Sequence, residues 1–153
     1  MGTWSDFTTA QPQMAAAVRA LLCQYGPGLG YLATVRSDGG PRVHPVSPVI
    51  SDGGLFCFVV ASPKRDDLER DGRYALHSYP PEHSDDEAYL AGRAIPVTNP
   101  DRARRIAEAA RAAPGVDWQL FEFTIEVAMV ICRPPSTETP PAATPVSQQI
   151  WHG

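Results

Sequence analysis

The sequence predicts a mostly β fold, with six or seven antiparallel strands in a closed or nearly closed barrel and two or three helices at its rim. Three observations lead there. Short runs rich in Val, Tyr, Phe and Ile recur from residue 31 onward, Asp-Gly-Gly turns separate the first of them, and a long stretch near residue 120 alternates apolar with polar residues. Closure into a barrel suits so many short strands, because it removes exposed edges.

The first element is a helix over Gln11–Gln24. Pro12 fits its first turn, Gly26 and Pro27 stop it, and Met14, Val18, Leu21, Leu22 and Tyr25 form one apolar face. Beyond Gly30 the period becomes extended. Tyr31–Arg36, Arg42–Ile50 and Leu55–Val60 read as a three-stranded meander, turned at Ser37-Asp38-Gly39-Gly40 and again at Ser51-Asp52-Gly53-Gly54. Ser62–Gly72 reads as a short helix with Ser62 as its cap and Pro63 in its first turn. Arg73–Ser78 is a strand, and an acidic stretch, Glu82–Glu87, follows it. Ala88–Val97 is a further strand, with Gly92 marking a bulge. A helix then runs from the Asn99 cap to about Ala113, where Pro114-Gly115 ends it. Leu120–Cys132 is the longest strand: Phe121, Phe123, Ile125, Val127 and Met129 alternate with Glu122, Thr124, Glu126 and Ala128. Arg133–Pro145, with five prolines, reads as a loop, and Val146–Trp151 returns as a last short strand.

The totals narrow the function classes. A chain of 153 residues fits one domain spanning 1–153, with 1–27 as a helical N-terminal region and 146–153 as a strand and tail. Net charge is −4, so no basic excess points to nucleic acid, although a local cluster of cations still suffices for one phosphate. No apolar run reaches the length needed to span a bilayer, and Met1–Phe7 has neither the basic stretch nor the apolar core of a secretory signal. Cys23, Cys57 and Cys132 are widely spaced and make neither a disulfide framework nor a zinc site; each reads as a small buried hydrophobe in a reducing cytoplasm. The four histidines show no metal-ligand spacing.

Two segments carry candidate chemistry. Arg42-Val43-His44-Pro45-Val46-Ser47-Pro48-Val49 is a strand with two prolines. It is either an edge blunted against aggregation or a strand that faces something other than a neighbour, such as a planar ring. In Ser62-Pro63-Lys64-Arg65 a capping hydroxyl, free backbone N–H groups and two cations converge, which makes an anion site. The alternative is a solvated helix start in which Lys64 and Arg65 pair with Asp66 and Asp67.

Taken together and in order, these stretches resemble the flavin-binding split-barrel family of pyridoxamine 5′-phosphate oxidase, especially its flavin/deazaflavin oxidoreductase branch. The matching residues are LATVRSDGGPRVHPVSPV (Leu32–Val49), FVVASPKRDDLERDGRYALHS (Phe58–Ser78) and DDEAYLAGRA (Asp85–Ala94). The resemblance implies a split β-barrel that binds FMN, or alternatively a deazaflavin. It implies that Arg42, Val43, His44, Pro45, Val46 and Ser47 lie along the isoalloxazine ring and ribityl chain. Ser62 and Lys64, with Arg65 beside them, would hold the phosphate. It further implies a homodimer with the cofactor at the subunit interface and Trp151 of one subunit either closing the other's pocket or simply packing in the interface.

The expected activity is an oxidoreductase in which hydride moves between a small substrate or a nicotinamide and the flavin, with no side chain nominated as acid or base. The chain departs from the vitamin oxidase in having no arginine after Arg133, so synthesis of pyridoxal phosphate is not expected. The competing expectation is a non-enzymatic protein that stores or senses flavin, deazaflavin or haem.

Overall fold

The computed structural model describes residues 1–133 and 147–153. Beyond Arg133 the expected Pro-rich loop lies outside the described residues, as does the Val146 start of the last expected strand. The elements are α1 (Trp4–Ala10), α2 (Pro12–Leu22), β1 (Gly30–Val35), β2 (Pro41–Val46), β3 (Val49–Ser51), β4 (Gly54–Val60), α3 (Pro63–Arg70), β5 (Arg73–Ser78), β6 (Glu87–Pro96), α4 (Pro100–Ala110), β7 (Trp118–Cys132) and β8 (Ser147–His152).

The strands form one antiparallel sheet in the order β2-β1-β5-β6-β7-β4-β3, with β8 also on β7. The expected three-stranded meander is two hairpins instead. β1 pairs with β2 and β3 pairs with β4, but β2 and β3 stand at opposite ends of the sheet, with only Ser47 and Pro48 between them. Proline explains the break. Pro41 and Pro45 share a parity opposite Val35 and Tyr31, which lets both ring nitrogens face away from β1, and Pro48 ends the ladder. The single run expected over Arg42–Ile50 therefore splits, giving eight strands where six or seven were expected. The sheet curls to bring its ends round, and the result is a split β-barrel with flanking helices.

The Asp-Gly turns form as their chemistry requires. Asp52 and Gly53 both take positive φ, 49° and 71°, the signature of the tight hairpin turn favoured by right-twisted strands. The bulge falls at Gly92, where the β6–β7 register shifts between Ala91 and Gly92. A Cβ there would meet the Thr124 carbonyl oxygen at 2.1 Å, so the close approach of the two backbones needs glycine.

Helix α1 had not been expected. It is started by a capping box: the Asp6 N–H donates to Thr3 Oγ1 at 3.2 Å, and the Thr3 N–H donates to Asp6 Oδ2 at 2.7 Å. Trp4 and Phe7, one turn apart, enter the core with Met14, Val18 and Leu22 of α2. They meet Leu32, Leu55, Leu76, Leu90, Phe121, Phe123 and Ile125 from the concave face of the sheet. A second, smaller cluster of Phe56, Ile106 and Leu120 lies under α4. Asn99 caps α4 by accepting from the Arg102 N–H at 3.0 Å, and the helix ends at Arg111 in the left-handed region, before the expected Ala113.

On the opposite face α4 covers β4 and the start of β7, and across the other strands that face carries no helix among the described residues. There its residues form two rows: Pro45, Tyr31, His77, Tyr89, Met129, Ile150 and, beside it, Val43, Ala33, Ala75, Ala91, Val127, His152.

Candidate cofactor cleft

The β2–β3 crossover, the end of β4, the first turn of α3 and the segment after α4 surround a cleft of about 470 Å³. Pro45, Val46 and Ser47 line it on one side, Cys57, Phe58 and Val60 form its floor, and Ala112, Ala113, Val116 and Trp118 form the far wall. Phe58 and Trp118 come from paired strands, and their rings meet edge to face with centroids 4.8 Å apart. Lys64 is the one charged residue among the described residues that line it. The two segments singled out in the sequence thus border one cavity.

Lys64 is the chain's only lysine. It is half-buried, and among the described residues no carboxylate or hydrogen-bond acceptor pairs with its ammonium. The pairing of Lys64 and Arg65 with Asp66 and Asp67 does not form. Arg65 reaches instead across to Asp117, with Nη1 and Nη2 3.3 and 3.4 Å from its two carboxylate oxygens. Asp67 is buried, and its carboxylate accepts from Thr34 Oγ1 at 2.8 Å, from Arg42 Nε at 2.7 Å and from Arg70 Nη2 at 3.1 Å. Burial pushes this carboxyl up, but the bonds from Arg42, Thr34 and Arg70 outweigh it and hold the group below its ordinary value.

The remaining predicted residues divide. Ser62 holds the N-cap position of α3, but its hydroxyl donates to the Val60 carbonyl at 2.8 Å and caps nothing. That corrects the expected convergence of hydroxyl and helix N–H groups. Arg42 is committed to Asp67 and does not line the cleft. Val43 points to the uncovered face, 61% exposed. His44 turns the other way, and its Nε2 is buried with no hydrogen-bond partner among the described residues. Trp151 lies on β8 and packs on Phe7 of its own chain, with ring centroids 5.0 Å apart; the cleft and this ring are separate within one subunit.

Cys57, Phe58, Val60 and Trp118 were not singled out from the sequence. Burial pushes the Cys57 thiol up to about 12, even though the Lys64 ammonium nearby works against it, so this cysteine is a neutral apolar surface of the cleft. The three cysteines are unpaired, but Cys132 is exposed and Cys23 half-buried, where all three had been expected inside. Among the described residues no His, Cys, Asp and Glu cluster has the arrangement of a metal site, and no helix is long and apolar enough to cross a membrane.

No family model and no curated protein matches the chain. Solved structures do. A haem-binding protein from Mycobacterium smegmatis is 18% identical at a TM-score of 0.61, over 88% of this chain and 57% of its own length. A NimC/NimA family protein from Clostridium acetobutylicum is 16% identical at 0.59, over 90% of this chain and 93% of that one. Campylobacter jejuni ChuZ is 10% identical at 0.65, over 76% of this chain and 55% of its own. The chain thus spans little more than half the length of the first and third of these proteins. At such identities the likeness is one of fold: all share with this chain the curled antiparallel sheet of the split β-barrel.

Proposed function

We propose that the chain binds FMN in the cleft beside the β2–β3 crossover and acts as a flavin-dependent oxidoreductase of the pyridoxamine 5′-phosphate oxidase-like type. The observation that carries this is Lys64, the only lysine, half-buried without an anionic partner among the described residues, lining a cleft whose other described walls are apolar but for Ser47. Such a site suits a flat apolar ring with one phosphate on a short tail. When bound, the flavin supplies the hydride chemistry. The chain's own groups hold and orient it. Pro45, Val46 and Ser47 border the ring, the Phe58 and Trp118 rings keep water from it, and Lys64 takes the phosphate. FMN fits better than a deazaflavin with a long acidic tail, because Arg42 and Arg70 are bound to Asp67 and Arg65 to Asp117.

The likeness to a haem-binding protein favours haem as the second reading. Against it, the described residues lining the cleft include no histidine.

We further propose that the working unit is a homodimer joined through the uncovered sheet face. Pro45 belongs both to that face and to the cleft, so the cleft opens at the edge of such an interface. The unpaired cysteines accord with a reducing cytoplasm.

An absorption spectrum of the purified chain, taken before and after addition of FMN and gel filtration, tests the reading. Retained flavin bands at dimer size are the expected result. A Soret band after addition of haemin, with no retention of FMN, would overturn it in favour of haem.

A further inference from the structure

We infer that Asp117 is a specificity-determining residue of this cleft: it occupies Arg65 until a ligand with a strongly charged end displaces it. The inference rests on the flavin reading above. Arg65 follows Lys64 in the first turn of α3, and its pair with Asp117 stands outside the residues that line the cleft, next to Lys64 in sequence at one end and to Val116 and Trp118 at the other. Asp117 lies between Val116 and Trp118, both of which line the far wall. The ion pair therefore ties the helix that carries Lys64 to the opposite wall.

Its geometry is that of a loosely held pair. The two contacts are 3.3 and 3.4 Å, whereas two-pronged pairs elsewhere are shorter, 2.7 and 3.0 Å for Arg102 with Glu122 and 2.6 and 3.0 Å for Arg73 with Asp71. Charge-assisted bonds of full strength lie near the shorter values. The Asp117 side chain is 77% exposed and the Arg65 side chain 19%. Water thus screens the carboxylate, while the guanidinium is partly sheltered and gains from any stronger anion. Among the described residues Asp117 has no other side-chain partner. Of these two consecutive cations, one has no anionic partner among the described residues and the other is held by an anion it can exchange.

A neutral tail has nothing to offer Arg65 and leaves the pair intact. A phosphate monoester held by Lys64 brings up to two negative charges next to Arg65 and competes with a single carboxylate. Asp117 therefore lowers affinity for the phosphorylated ligand and leaves affinity for its uncharged counterpart alone.

Fluorescence titration of the full chain with FMN and with riboflavin tests this in wild type, Asp117→Asn, Arg65→Met and the double variant. Thermal melts confirm that each is folded, and Asp117→Ser serves if the first substitution perturbs the fold. Asp117→Asn is expected to raise the ratio of FMN to riboflavin affinity roughly tenfold, the worth of one charge-assisted contact, with riboflavin affinity unchanged. In the Arg65→Met background the same substitution is expected to leave the ratio alone. An unchanged ratio in Asp117→Asn, or an equal rise without Arg65, overturns the role of Asp117 and leaves the flavin reading standing. Wild type that binds neither flavin, or both equally, overturns that reading and the inference with it.

Discussion

A cation half-sunk in an apolar cleft with no carboxylate beside it has lost water that nothing in the described chain replaces. Lys64 is in that position, whereas its neighbour Arg65 has Asp117 and Arg42 has Asp67. Under the proposed function, Lys64→Ala weakens FMN binding by roughly 1.5–3 kcal/mol, the range for a hydrogen bond to a charged group. Equilibrium titration against riboflavin as a neutral control checks it, and an unaltered FMN affinity refutes the phosphate role. At this scale the sequence was readable where partners are close along the chain. Ser62-Pro63-Lys64-Arg65 announces a helix start rich in cations. It does not reveal that the Ser62 hydroxyl turns back to Val60 or that Arg65 crosses to Asp117, because those choices are made by groups that the fold brings together. Cys57, Phe58 and Trp118 were hidden for the same reason, since they reach the cleft through the pairing of β4 with β7.

Helix α3 is anchored by Leu68 in the core and tied to the first hairpin by one buried carboxylate. Asp67 joins it to Thr34 on β1 and to Arg42 on β2, and Arg70 on the same helix also donates to the Val35 carbonyl. This docking sets where Lys64 stands. Asp67→Ala is expected to cost about 2–4 kcal/mol by chemical denaturation, less than loss of a fully buried pair, since Arg42 and Arg70 still reach water. The acid limb follows from the sign of the shift. The folded carboxyl titrates below its unfolded value, near 3.9, so its contribution is complete above that pH and is lost as pH falls through the lower, folded value. Denaturation curves from about pH 5 downward are expected to show stability falling in wild type and falling less steeply in Asp67→Ala; parallel curves would refute the assignment. The element itself was legible, with Pro63 and Gly72 bracketing it. The strand over Arg42–Ile50 was legible as β but not as two strands, because period-2 patterning continues across Ser47-Pro48 while the pairing partner changes.

The barrel as a whole buries one face of its sheet and, outside the part that α4 covers, leaves the other bare. Small residues, Ala33, Ala75 and Ala91, run through the middle of the bare face, with Tyr31, Val43, Met129 and Ile150 around them. On the homodimer proposal, Ala33→Glu places a charge at the centre of the contact. The expected outcome is a monomer by light scattering with an unchanged melting profile; a dimer that persists would move the interface elsewhere. The fold class could be read from turns and alternation, but the sheet order could not, since local patterns carry no record of which distant strands meet. That order has a consequence for assembly. The cleft's walls run from Leu29 to Trp118; its borders on β2, β3 and β4 lie in hairpins that are complete early in the chain, and Trp118 joins them from β7. Those hairpins share no sheet until β5, β6 and β7 fill the space between them. A nascent chain thus carries the two edges of its future cleft side by side in sequence, yet closes that cleft only after its most distant contacts have formed. The cleft is among the last parts of the molecule to exist and the first to register a failure of long-range pairing.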